Sequence, residues 1–142
     1  MRSGAVLKIL AVVLFLFALG HTLATSTPPV QRGAPEAAVF QAMQSFRFPI
    51  MGFTRSHWDF YRGLAISGGV LMFALAVIAW QLAAIARRNP RDAFPLAVTL
   101  LLACVGTLLV AIEFLFTVPI VFSAVTVLLS GAAVVLLRRE LA

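Results

Sequence analysis

Four apolar stretches, each of about 20 residues and almost free of charge, constrain this chain more than any other feature of its sequence. A helix rises ~1.5 Å per residue, so about 20 predominantly apolar residues cross the ~30 Å hydrocarbon core of a bilayer. The predicted spans are 5–24, 64–86, 94–116 and 119–137. The second stops at Arg87-Arg88-Asn89-Pro90, where basic residues meet a helix breaker, and Asp92 is placed to cap the third. Apolar sequence then runs almost unbroken from Phe94 to Leu137, and Pro119 decides against a single long helix. Proline lacks an N–H and fits the first turn of a new helix, so Thr117-Val118-Pro119 reads as a tight turn between antiparallel neighbours.

Composition agrees. Of 142 residues, 62% are hydrophobic and 11% charged, against ~45–50% and ~25% in soluble domains. With a mean hydropathy of +1.04, too few polar side chains remain to coat a water-soluble globule. The formal charge of +6 does not indicate nucleic acid as a partner, because the basic residues cluster at span ends and no basic face interleaved with aromatics occurs. Lys and Arg beside spans are held in the cytoplasm. Seven (Arg2, Lys8, Arg87, Arg88, Arg91, Arg138, Arg139) fall on one side and four (Arg32, Arg47, Arg55, Arg62) on the other, which predicts cytoplasmic termini and an outer loop over 25–63. Arg2 and Lys8 flanking an apolar run that ends at Thr22-Leu23-Ala24 also fit a cleavable secretory signal. Cys104 stands alone, so no internal disulfide forms.

The outer loop is not uniform. Thr25 to Pro35 has no apolar period and reads as loop, whereas Val39, Phe40, Met43 and Phe46 recur at helical spacing after Pro35. This amphipathic segment of about 12 residues is too short to span and is expected to lie in the interface or to cap the bundle. Pro49 and Gly52 end it, and Phe46, Phe48 and Phe53 are expected to bury against bundle or bilayer. Ser56-His57-Trp58-Asp59 has capping-box spacing, with Asp in place of Glu or Gln, and starts a helix that leads into the second span.

Polar residues inside the spans mark candidate sites, since an uncompensated charge at the bilayer centre costs at least ~2.5–3.5 kcal/mol. Three stripes are expected to face helix neighbours: Asp59, Gly63, Ser67, Val70, Ala74 and Gln81 on the second span; Thr99, Gly106 and Glu113 on the third; Ser123, Thr126 and Ser130 on the fourth. His21 shares a side of the first span with Leu14, Phe17 and Ala18, and Asp59 and Arg62, three apart, can pair. In an alternating topology His21, Asp59, Arg62 and Glu113 reach one leaflet, with Arg62 and His21 as candidate partners of Glu113. Trp58, Tyr61 and Trp80 fit aromatic belts, and Gly68-Gly69 a close-packing point.

Gly20-His21-Thr22 closing the first span, and Arg55-Ser56-His57-Trp58-Asp59-Phe60-Tyr61-Arg62-Gly63-Leu64 opening the second, resemble a group of small four-helix bacterial inner-membrane proteins. The resemblance covers nearly the whole chain, implies His21, Trp58, Asp59 and Tyr61 as signature positions, and carries no assigned activity. In size and helix count alone the chain is similar to DoxX-like membrane proteins.

The expectation is therefore an all-α, four-helix transmembrane bundle with an amphipathic helix in a long outer loop. The leading functional reading is a non-enzymatic binding or accessory protein whose outer-leaflet pocket, lined by His21, Asp59, Tyr61, Arg62 and Glu113, holds a lipid-like or apolar ligand. One rival is a small membrane enzyme acting on a lipophilic substrate by proton transfer between His21 and Glu113. Another is a structural subunit, a homo-oligomer or part of a membrane complex, with a small-residue stripe exposed on the fourth span. The same polar residues can also do no more than lock helices together by hydrogen bonds. Neither cofactor nor metal is called for, because no His-x-x-His or Cys-x-x-Cys spacing accompanies His21, His57, Asp59 and Glu113.

Overall fold

A computed structural model describes residues 2–27 and 29–142. In chain order the elements are α1 (Arg2–Ser26), α2 (Ala34–Ser45), β1 (Arg47–Ile50), β2 (Phe53–Ser56), α3 (His57–Arg88), α4 (Pro90–Phe114) and α5 (Thr117–Leu141). The architecture is all-α apart from one short hairpin. Helices α1, α3, α4 and α5 are each long and apolar enough to cross a membrane, and the chain is an integral membrane protein. The α4–α5 break falls at Leu115 and Phe116 rather than at Thr117-Val118-Pro119, which are already helical, with Pro119 in the first turn of α5 where its missing N–H costs nothing. Asn89 rather than Asp92 caps α4. Its side chain accepts from the Arg91 N–H at 3.2 Å and donates to Asp92 at 2.6 Å.

The chain divides into two compact units, one comprising α1 as far as Phe17 with everything from Met72 onward, the other Ala18–Leu71. In the first, four helix segments surround one core: Leu7, Leu10, Ala11 and Leu14 of α1, Ala76, Ala79, Leu82, Ala83 and Ala86 of α3, Ala93, Ala97, Leu100 and Cys104 of α4, and Ala133 and Leu137 of α5. Helix α1 is thus a member of the bundle, although its flanks also read as a secretory signal. Lipid tails are as apolar as leucine, so these contacts hold by close packing rather than by escape from water, and alanine at the crossings lets backbones approach. A methyl group on Gly4 would lie 3.1 Å from the Ala83 carbonyl oxygen.

Buried positions on each spanning helix recur at steps of three and four, as in a coiled-coil seam. On α4 they are Ala93, Ala97, Leu100, Cys104 and Ala111; on α5, Ser123, Thr126, Ser130, Ala133 and Leu137. The α5 stripe therefore faces inward as expected. Thr126 and Ser130 return their hydroxyl protons to the Ser123 and Thr126 carbonyls, at 2.8 and 2.7 Å, beside the Cys104 thiol. The buried Ser123 hydroxyl has no hydrogen-bond partner among the described residues, and nothing in the structure accounts for it.

The other two stripes do not face inward. Thr99, Gly106 and Glu113 are exposed, roughly across α4 from its alanine seam. Asp59, Gly63, Ser67, Val70, Ala74 and Gln81 are likewise exposed, while α3 buries Gly69, Ala76, Ala79, Leu82, Ala83 and Ala86. Close helix approach selected small apolar side chains, and the polar residues could satisfy themselves locally, as Thr99 does on the Pro95 carbonyl at 3.2 Å. At the ends of the unit, Ser3 donates from its N–H and hydroxyl to the Glu140 carboxylate, at 3.3 and 2.8 Å, and the Lys8 ammonium lies 5.4 Å from the Trp80 ring centre.

In the second unit, Pro35 opens α2 and Glu36 turns back to accept from the Arg32 N–H at 2.6 Å. The amphipathic helix is present, but none of its residues is buried. The stretch after it, expected to be loop, is an antiparallel hairpin pairing Arg47 with Ser56, Phe48 with Arg55, Pro49 with Thr54 and Ile50 with Phe53. Met51 (φ 48°) and Gly52 (φ 84°) form its two-residue turn. Two positive φ angles match the right-handed twist of a hairpin, a geometry that usually selects Asn-Gly.

Candidate functional site

The start of α3 is fixed by reciprocal hydrogen bonds. The Ser56 N–H donates to the Asp59 carboxylate at 2.9 Å, and the Asp59 N–H donates to the Ser56 hydroxyl at 3.2 Å, so the capping box forms with aspartate in the glutamate position. The cap draws in a different cation from the one expected. Arg47, paired across the hairpin with Ser56, stands 3.8 Å from Asp59, whereas Arg62 makes no ion pair among the described residues. Rings complete the junction. Phe48 lies 5.0 Å from His57 and 6.0 Å from Phe60, and Trp58 sits between Phe40 at 5.6 Å and Tyr61 at 5.2 Å.

His21 is half-buried on the inward side of α1, the side it shares with the buried Leu14, Phe17 and Ala18. Its Nε2 is 2.8 Å from the Ala65 carbonyl oxygen of α3. A carbonyl only accepts, so Nε2 carries the proton and the imidazole acts as a cross-helix donor. Gly68 and Gly69 make this approach possible. A methyl group on Gly68 would sit 3.4 Å from His21 Nε2, and one on Gly69 2.7 Å from the Thr22 hydroxyl. The glycine pair is a close-packing point, and the histidine fills the space it leaves.

Beside the cap, Arg55, Asp59, Phe60, Gly63 and Leu64 line an open groove of about 250 Å³. A guanidinium and a carboxylate occupy one end and apolar surface the other. From Leu64, 74% exposed, the same face of α3 continues two turns on to Leu71, 65% exposed. A pocket for a drug-sized ligand spans ~300–1,000 Å³, and this groove lies just below that range.

Of the residues predicted to line a pocket, only Asp59 is in the groove. Tyr61 is exposed and stacked on Trp58, Arg62 is exposed, and His21 is engaged with Ala65. Glu113 belongs to the other unit. It is exposed in the last turn of α4, since that helix ends at Phe114 rather than Phe116, and it makes no hydrogen bond or ion pair among the described residues. Nor do the described residues contain a group of three or more His, Cys, Asp or Glu able to hold a metal ion. Arg55, Phe60, Gly63 and Leu64 were missed as lining residues. Their only sequence signal is an arginine four positions before an aspartate across a strand-to-helix junction, which is legible only once the hairpin is known. No family model, curated protein or solved structure matches the chain.

Proposed function

We propose that this integral membrane protein is a non-enzymatic lipid-binding or accessory protein of the bacterial inner membrane. Its termini are cytoplasmic, and its site for an amphiphile lies at the outer end of α3. The observation that carries the reading is the groove itself, where Arg55 and Asp59 meet the apolar surface of Phe60, Gly63 and Leu64. Opposite charges beside an apolar track suit a zwitterionic or phosphate-bearing head with an acyl chain directed along Leu64 and Leu71. The orientation is supported by the basic residues in the last turns of α3 and α5, Arg87, Arg88, Arg138 and Arg139, which fall on the same side as Arg2 and Lys8 in an alternating topology.

Gly63 gives a clean test. A β-carbon there meets nothing within 4 Å, so Gly63→Phe introduces a ring at the groove without a clash at its point of attachment. Native mass spectrometry of detergent-purified protein is expected to show lipid retained by the parent chain and lost at least tenfold from the variant, with unfolding unchanged or slightly harder because a helical glycine has been removed. Equal lipid retention would contradict the assignment.

A further inference from the structure

We propose that the hairpin tip, Ile50 to Phe53, inserts into the interfacial layer of an anionic phospholipid bilayer, with Arg47 and Arg55 at the level of the lipid phosphates. The tip is distinct from the groove, with which the hairpin shares only Arg55.

The hairpin is amphipathic along its length. At its end, Ile50, Met51 and Phe53 are all exposed, and Met51, at 93%, is the most exposed large apolar residue among the described residues. At its base, Arg47 and Arg55 occupy neighbouring rungs. Met51 also adopts a left-handed conformation that asparagine or glycine would take more easily. An aqueous turn gains nothing from methionine there, whereas an apolar surrounding rewards it.

Position makes the bilayer the fitting occupant. β2 runs into α3 without a linker, Ser56 being followed directly by His57, so the hairpin is tied to the end of a membrane-spanning helix. Phe48 packing on His57 and Phe60 holds β1 against the first turn of that helix. At ~3.4 Å per residue, Arg55 lies about 7 Å along the strand from Phe53, close to the ~5–7 Å depth of the head-group layer on each side of a bilayer. Charge agrees as well. The Arg55 guanidinium lies 5.0 Å from the Phe53 ring centre, a cation resting on the ring next to the tip. Residues 27–63 carry four arginines against only Glu36 and Asp59. An anionic phosphate surface complements that excess, while apolar side chains beyond it reach the acyl boundary.

The test places an environment-sensitive fluorophore on Met51→Cys in a Cys104→Ala background, reconstituted as the full chain in nanodiscs of phosphatidylcholine with or without phosphatidylglycerol. A second probe on Gln31→Cys, in the exposed segment before α2, is the aqueous reference. In phosphatidylglycerol discs the probe at 51 is expected to be at least fivefold less quenched by iodide than the probe at 31, and strongly quenched by a nitroxide near the top of the acyl chain. Combining Arg47→Gln with Arg55→Gln is expected to remove at least half of that protection. Trp58 emission, read in a Trp80→Phe background, verifies that the module is folded. Equal iodide quenching at 51 and 31 would overturn the insertion and leave the tip as a surface for a protein partner. Protection insensitive both to phosphatidylglycerol and to the arginine substitutions would overturn the phosphate contact. Gly63 does not contact residues 50–53, so lipid loss from Gly63→Phe and depth at position 51 can fail separately.

Discussion

Helices α1 and α3 are each packed by two different chemistries along their length. Within the bundle unit, α1 presents Leu7, Leu10 and Leu14 to a core to which α3 contributes Ala76, Ala79, Ala83 and Ala86, with no polar atom needed. Within the other unit, the same two helices meet through His21 and Thr22 against Gly68, Gly69 and the Ala65 carbonyl. The three-and-four spacing of inward positions persists through both. Large-into-small packing is spread over many contacts, whereas the second meeting rests on the absence of two β-carbons and on one hydrogen bond. The bundle unit thus holds the continuous core, whereas the Ala18–Leu71 unit carries the exposed rings and charges and the groove at Arg55 and Asp59.

This contrast can be broken at either end. The largest loss is expected from Leu10→Ala, which leaves a void in the bundle. In lipid the transfer contribution is small but the cavity cost remains, so about 2 kcal/mol is expected, at the low end of the range for buried leucines. Unfolding in mixed micelles of increasing SDS content measures it, and a change under ~0.5 kcal/mol would show that the core is not packed as described. Gly69→Val follows at about 1–2 kcal/mol, because even its β-carbon would stand 2.7 Å from the Thr22 hydroxyl. A disulfide between cysteines placed at positions 22 and 69 should form in the parent and become slower in a Gly68→Val variant that forces the helices apart. His21→Ala is the mildest, at about 0.6 kcal/mol, the mean for hydrogen bonds between membrane helices. The Ala65 carbonyl keeps its own place in the α3 ladder, so nothing is left wholly unsatisfied. A loss of several kcal/mol from His21→Ala would mean that the histidine holds more than this one carbonyl.

Spans were legible in the sequence because apolar length is dictated by bilayer thickness, and helix starts because Pro35, Pro119 and the Ser56–Asp59 box act locally. The inward faces of α3 and α4 are not legible from their polar residues, because polar side chains in these spans do not seek the interior, whereas Ala76, Ala79, Ala83 and Ala86 carry the packing period. The hairpin escaped because Pro49 and Met51-Gly52 resemble ordinary loop residues until Arg47 is set opposite Ser56. Asp59 alone of the predicted pocket residues lines the groove, since its companions there come from the unforeseen strand and from neighbouring positions on α3.

The groove at Arg55, Asp59 and Gly63 is the proposed binding site, whereas His21 makes a packing contact with α3. Native mass spectrometry of Gly63→Phe and His21→Ala, purified side by side, tests that separation most directly. Lipid lost from Gly63→Phe and retained by His21→Ala is the predicted result. Lipid retained by Gly63→Phe and lost from a folded His21→Ala would contradict it.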